Sequence, residues 1–424
     1  MLDIKLIAKD PERVRRGAES KHQSVDIDGL LALEEKRKKI IAEVEALKAD
    51  KNRVSREVGQ AKKEGRNADA LVEETRKVGD RIKELDLQQT AVQGEIRSLL
   101  LVIPNLPHDS VPEGKSAADN VVVREWGVTT PKSFPLKNHI EISETLDVLD
   151  FKRGAKIAGS GFVLYKGMGA KLERALLNYF LETNTKNGFT EVFPPFLATP
   201  ECAEGVGHLP KFRDQMYYIN EDNLFLIPTA EVPVTNIFRD EILNVKDLPV
   251  HYTAYSACFR REAGAWGKDT RGFLRVHEFN KVELVKFCEP EKSYEEHESL
   301  TRCAEALLQG LGLKYRVLAL CKGDLSFSAA KCYDLEVWAE GEQRWLEVSS
   351  CSNFEDYQAR RANIRYRDRE GTVRFLHTLN GSGLATARIL VAILENYQQA
   401  DGSVVIPDVL RPYLNGADAI KKEK

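Results

Sequence analysis

The sequence predicts an α+β chain in two unequal parts. The first is an N-terminal antiparallel helical hairpin, a coiled-coil arm. The second is a larger domain built on an antiparallel β-sheet flanked by helices. Three observations carry this. No Phe, Tyr or Trp precedes Trp126, and no proline lies between Pro11 and Pro104; a compact core without a single ring is unusual, whereas an extended helical structure needs none. Apolar residues recur every seven positions through most of that stretch. From about residue 121 onward, short strand-like segments outnumber helical ones.

Taken in order, Asp10-Pro11-Glu12 reads as N-cap, N1 and N2 of a first helix. Leu33, Ile40, Leu47, Val54 and Ala61 then form one seam, with Leu30, Val44 and Val58 on its companion and Arg37 and Lys51 interrupting the latter. A second run follows, Leu71, Val78, Leu85, Val92 and Leu99, with Ile82, Ile96 and Ile103 beside it and Thr75 and Gln89 as polar members. A sustained period of seven is the coiled-coil pattern. Between the runs lies Lys63-Glu64-Gly65-Arg66-Asn67-Ala68-Asp69, where Gly65 and Asn67 tolerate left-handed backbone angles and allow a reversal. Each arm has about 35 residues, which at ~1.5 Å rise per residue gives a hairpin roughly 50 Å long. Residues 31–97 carry 16 Lys/Arg and 14 Asp/Glu, interspersed as on a solvated helix face. A dimerisation coil and a projecting arm for a large partner both fit the period; the interrupted seams and central turn favour a self-paired hairpin. Pro104, Pro107, Pro112 and Gly114 mark a linker, dividing the chain into domains 1–110 and 111–424.

Beyond the linker, helical periods fall at 170–185, 294–309, 357–363 and 383–398. Strand-like stretches fall at 190–194, 217–219, 224–227, 252–259, 275–287, 332–339 and 343–349. No strict βαβ alternation is visible.

Composition narrows the function. The chain is 42% hydrophobic and 30% charged, which excludes wholesale disorder, and its net charge of −3 excludes a generally cationic polyanion binder while allowing a local basic face. The longest apolar run, 389–394, is far short of the ~20 residues of a membrane span. The first residues lack a signal-peptide pattern. The seven cysteines form no C-x-x-C pair, so neither a paired-Cys zinc site nor a disulfide framework is expected, and a reducing, cytoplasmic setting is.

The usual phosphate-binding glycine loops, G-x-x-x-x-G-K-[ST] and G-x-G-x-x-G, are absent, as are G-x-S-x-G and H-E-x-x-H. A nucleotide would have to be held by charged side chains on strands. Residues 259–284 offer such a set: Phe259-Arg260-Arg261-Glu262, a glycine-containing basic loop at 264–272, then a strand resuming through Val276, Phe279 and Glu283. Arginine presents a rigid fork suited to carboxylate or phosphate.

Three segments together make the chain resemble the seryl-tRNA synthetase family of class II aminoacyl-tRNA synthetases. Gly188-Phe189-Thr190-Glu191-Val192-Phe193-Pro194-Pro195 is similar to motif 1, the dimer-interface motif, the 259–283 unit to motif 2, and Thr378-Leu379-Asn380-Gly381-Ser382-Gly383-Leu384-Ala385-Thr386-Ala387-Arg388 to motif 3. Thr229-Ala230-Glu231 and Glu347-Val348-Ser349-Ser350 lie between them. Each motif alone is weak; all of them in order are specific, and the resemblance extends to the hairpin, whose counterpart is the family's tRNA-binding arm.

The resemblance implies a homodimeric, cytoplasmic enzyme without a membrane segment. It would activate L-serine with ATP and Mg²⁺, then charge tRNA(Ser), and tRNA(Sec) where the source has one. Arg260, Arg388 and Glu347 would be catalytic, with Arg260 on the α-phosphate and the amino acid carboxylate. ATP would be held by Arg260, Arg261, Glu262, Val276, Phe279, Glu347, Val348, Ser349, Ser350 and Arg388: Glu262 accepts from the adenine amino group, while Phe279 and Arg388 cover the two ring faces. Glu347 and Ser350 would hold the metal, oxygen donors suiting a hard cation. Serine would be read by Thr229, Ala230, Glu231, Glu283, Asn380 and Ser382. His277 is expected to position rather than to act as a base, since the substrate carboxylate is already a nucleophile. A carrier-protein ligase is disfavoured by the arm, and a catalytically dead RNA-binding paralogue by Arg260, Glu262, Glu347 and Arg388.

Overall fold

The computed structural model describes residues 1–263 and 272–422; the expected basic loop at 264–271 lies outside them. The chain forms two compact units. One comprises Leu2–Glu19 and Gln23–Ile103, the other Pro104 onward together with Met1 and Ser20–His22.

In the first unit a helix spans Pro11–Ser20, and Asp10 caps it, its Oδ1 accepting the Arg13 N–H at 3.0 Å. The hairpin helices are Ile27–Lys63 and Asp69–Leu101. The chain reverses where expected: Gly65 has φ +67°, which only glycine adopts without strain, and Asn67 Oδ1 accepts the Asp69 N–H at 2.7 Å. Leu30, Ile40, Val44, Val54 and Ala61 on one helix and Ile82, Leu85, Val92 and Ile96 on the other are buried. Leu33, Leu47, Leu71, Val78 and Leu99, which the period assigns to the seams, are only half-buried. Two helices shield one side of each other, so the flanks of the seam stay partly wet. Glu34 is buried beside Leu33, held by both Arg37 nitrogens at 2.7 Å.

The second unit is organised by an eight-stranded sheet. In chain order its strands are β1 (Val121–Trp126), β2 (Thr190–Val192), β3 (Val250–Phe259), β4 (Glu278–Cys288), β5 (Tyr315–Ala319), β6 (Lys331–Ala339), β7 (Arg344–Asn353) and β8 (His377–Ala385). They lie side by side as β1-β5-β6-β7-β8-β4-β3-β2. All pairs are antiparallel except β2 with β3. Helices Met168–Lys186, Ser293–Gly310 and Thr386–Asn396 bury Leu176, Leu300 and Leu390 in one apolar cluster with Val282 and Leu284 of β4 and Leu335 and Val337 of β6. Because strand side chains alternate faces, Lys281 and Glu283 of β4 point away from that cluster, while the half-buried Phe279 packs against it.

Three sequence expectations need correction. The helix expected at 383–398 begins at Thr386, and the residues before it form β8. The glycines there mark tight packing rather than a loop: a Cβ at Gly381 would lie 2.3 Å from Leu300 Cδ2, and one at Gly383 2.8 Å from Asn184 Nδ2. The strand expected at 275–287 begins only at Glu278, since His277 turns aside to donate its N–H to Gly161 O at 2.9 Å. Strands β1 and β5 were not expected at all.

Candidate active site

A cavity of about 560 Å³ opens over the sheet beside Phe279, Lys281 and Glu283 of β4. The β3–β4 pair builds one wall. Its register sets Phe279 against Cys258 and Glu283 against Ala254, while β8 brings Ser382 opposite Glu283. Residues 99 positions apart in sequence thereby meet.

At one end is a buried polar knot. Thr229 Oγ1 donates to Glu283 Oε2 at 2.9 Å and accepts from Lys281 Nζ at 2.9 Å and from the Glu231 N–H at 3.2 Å. Lys281 also pairs directly with Glu283 Oε2, and Asn380 Nδ2 donates to Glu283 Oε1 at 3.2 Å. Glu231 lies alongside. Gln358 Nε2 donates to its Oε1 at 2.7 Å, and Thr378 Oγ1 holds Gln358 in turn at 2.7 Å. Burial, and then the Glu283 charge, push the Glu231 carboxyl up to about 7. Ser382 is buried at the same end, its carbonyl accepting from Ser349 Oγ at 2.7 Å.

Arg260 follows β3. Its guanidinium lies 5.1 Å from the Phe279 ring centroid, and Nε donates to Pro228 O at 3.3 Å. His277 fixes the backbone here: its Nδ1 is 2.9 Å from Arg260 O, and the Arg260 N–H returns a 2.9 Å bond to His277 O. These two bonds tie the His277 ring and backbone to the Arg260 backbone. Glu262, at φ +48°, is paired with Arg275 at 2.9 Å. Arg388 spans the far side, donating from Nε to Leu274 O at 3.1 Å and from Nη1 to Glu347 O at 2.7 Å. Val276, Glu347, Val348, Ser349 and Ser350 complete this wall.

Two expected residues do not line the cavity. Ala230 is fully buried in a separate apolar cluster with Val234 and Ala254. The Arg261 side chain is exposed to solvent, while its N–H bonds Gln215 O at 2.9 Å. Sequence reasoning also missed several members. Lys281 could have been found from strand alternation, which puts it on the face of Phe279 and Glu283. His208, whose imidazole burial drives down to about 4, together with Phe212 and Ser326, reaches the cavity from segments without a motif. Asp334 of β6 lies opposite Ser350 in register; burial, then the Glu347 charge, raise its carboxyl to about 8.

Among the described residues, one group of three side chains has metal-ligand spacing away from this cleft, His139, Glu342 and Glu395. His139 Nε2 accepts the Phe273 N–H at 3.1 Å, so Nδ1 carries the proton and donates to Glu395 Oε1 at 3.0 Å. That is a hydrogen-bonded clasp, with the ring nitrogens already committed.

The antiparallel sheet carrying arginines, an aromatic face and carboxylates over one cleft is the core of the class II tRNA synthetases, and residues 215–397 match the model for the "tRNA synthetase class II core domain (G, H, P, S and T)". Residues 1–107 match the "Seryl-tRNA synthetase N-terminal domain". The serine–tRNA ligase of Carboxydothermus hydrogenoformans is 53% identical over 100% of both chains, and that of Caldicellulosiruptor bescii is 55% identical over 99% of this chain and 100% of its own. The crystal structure of seryl-tRNA synthetase from Pyrococcus horikoshii complexed with ATP superimposes with a TM-score of 0.93 at 38% identity, covering 100% of both chains. The chain belongs to the seryl-tRNA synthetase family.

Proposed function

We propose that this chain is a serine–tRNA ligase acting in two steps in the cleft described. A serine carboxylate oxygen attacks the ATP α-phosphorus; the new P–O bond forms as pyrophosphate leaves, giving seryl-adenylate. A ribose hydroxyl of the terminal adenosine of tRNA(Ser) then attacks the seryl carbonyl, and AMP departs. The observation that carries this reading is the convergence of Arg260, Phe279, Glu283, Thr229 and Asn380 on one cavity, supported by full-length relatives that bear this name.

Each side chain has a task suited to its chemistry. Arg260 offers fixed positive charge where charge accumulates on phosphorus. Phe279 and Arg388 sandwich the adenine, and Glu262 accepts from its amino group. Thr229, Glu231 and Glu283 take the serine ammonium, and Asn380 and Ser382 the hydroxyl. A site built to bond a hydroxyl rejects alanine, whose binding would strand those groups. Positioning and charge stabilisation, with no protein base, lower the barrier.

Mg²⁺ fits the far wall. Glu347 is an exposed carboxylate, Ser350 offers a hydroxyl, and the Asp334 carboxyl nearby is raised in part by the Glu347 charge, a repulsion that a divalent cation held by Glu347 and Ser350 would relieve. When bound, the ion would neutralise phosphate charge. We assign the arm (1–110) to the tRNA body, the remainder (111–424) to catalysis, and motif 1 to a homodimer interface. tRNA(Sec), where present, is a second acceptor, and the setting is the cytoplasm.

Serine-dependent ATP–pyrophosphate exchange, followed by transfer of labelled serine to purified tRNA(Ser), tests the reading. Both steps should occur. Exchange without transfer would point to a carrier ligase, and no exchange to a binding protein.

A further inference from the structure

The serine end of the cleft is already occupied by the protein's own ammonium. Lys281 is 6% exposed, deep within the sheet face. Its Nζ donates to Thr229 Oγ1 at 2.9 Å and pairs with Glu283 Oε2, two of the three groups to which the reading above gives the substrate's ammonium. Part of the remaining capacity is also committed. Thr229 Oγ1 spends its proton on Glu283 Oε2 and accepts the Glu231 N–H, Asn380 takes Glu283 Oε1, and Gln358 takes Glu231 Oε1. An α-ammonium arriving with Lys281 in place would set two like charges on one buried carboxylate. Ejecting Lys281 without compensation would leave its own ammonium desolvated and unpaired.

We propose that Lys281 is a resident counter-cation: it holds Glu283 paired in the empty site, yields that carboxylate to the incoming amino acid's ammonium, and pairs with the same amino acid's carboxylate. This rests on the serine-activating reading and extends it to how a zwitterion is chosen. The exchange conserves charge, because the substrate brings one cation for Glu283 and one anion for Lys281. No bond is made or broken. The lysine stem is long and freely rotating, so its Nζ can shift while β4 stays fixed. Arg260 lines the same cavity, and the substrate carboxylate would lie between these two cations, held still at the atom that attacks phosphorus. Cations lacking a carboxylate would be poor ligands even when their ammonium and hydroxyl match serine.

The test compares L-serine with L-serinamide, which keeps the ammonium and hydroxyl and lacks the carboxylate. Serinamide is measured as an inhibitor of serine-dependent exchange, and both compounds as thermal stabilisers of the full chain. The wild-type protein should bind serinamide far more weakly than serine. In Lys281→Met the ratio of serinamide Ki to serine KM should fall by about tenfold or more, the size of one charge-assisted contact, and serinamide should become the better stabiliser of the variant. Lys281→Arg, which keeps the cation, should retain the wild-type ratio. A ratio unchanged in Lys281→Met, with altered stability alone, would make Lys281 a structural partner and overturn the proposal. So would weak serine binding in Lys281→Met without any gain for serinamide. Absence of serine-dependent exchange in the wild-type chain would instead remove the underlying reading, so the two failures are distinguishable.

Discussion

The hairpin arm and the sheet cleft use charge in opposite ways. On the arm, Glu34 apart, charged side chains stand largely in water. Arg81 reaches Glu43 across the hairpin at 2.8 Å and Arg53 reaches Glu57 along one helix at 2.9 Å, all four being exposed. Such pairs are screened by salt and contribute little to folding. In the cleft, Glu231, Glu283 and Lys281 are each less than a tenth exposed, and each is held by identified donors and acceptors. Buried charge is costly unless paired, and in the cleft each of these groups has a partner of opposite charge or a hydrogen-bond donor. The same residue types are therefore mostly solvated on one unit and buried in a paired network on the other.

That contrast is best broken first at Arg260. Arg260→Ala should lower the exchange rate by about a thousandfold while circular dichroism and the melting profile stay near wild type; near-normal exchange would remove Arg260 from the reaction. Deleting residues 33–99 attacks the other side of the comparison. Adenylate formation should persist and tRNA charging should fall by about two orders of magnitude or more, the loss expected when an extended phosphate-contacting surface is removed. Charging that survives would show that the arm is not the RNA contact.

A smaller effect follows from Glu231. Burial, then the Glu283 charge, pushes its carboxyl up to about 7. Below that pH it is neutral and cannot pair with the serine ammonium; above it the anion is available. Serine KM should therefore fall as pH rises through about 7, by about tenfold between pH 6 and pH 8 for a single titrating group, and the dependence should flatten in Glu231→Gln. A profile rising with pH would contradict the assignment. At the small end, Leu390→Ala, fully buried on the helix behind the sheet, should cost about 2–5 kcal/mol of stability by denaturant titration. Arg81→Ala on the arm should leave the melting temperature unchanged.

Legibility followed the same divide. The arm was readable because its signals are local: a period of seven, an Asp-Pro cap and a glycine turn are all visible within a few residues. Helix Met168–Lys186 and strands β3, β4, β6 and β7 were likewise carried by periodicity. Strand β8 was hidden, because Asn380-Gly381-Ser382-Gly383 has loop composition and forms a strand only where helices pack too closely for a Cβ. The site was legible through the resemblance, since no local pattern announces that Thr229, Glu283 and Asn380 will meet. Lys281 escaped because a lysine on a strand reads as surface, and its partner Thr229 lies 52 positions away in sequence. Asp334 escaped because its neighbour in space, Ser350, lies across a strand pair.

A crystal structure of the full chain with a non-hydrolysable seryl-adenylate analogue tests the central claim most directly. The account predicts the adenine between Phe279 and Arg388, the α-phosphate mimic against Arg260, and the seryl ammonium on Glu283, Thr229 and Glu231. An analogue bound elsewhere, or bound here with its ammonium away from Glu283, would contradict it.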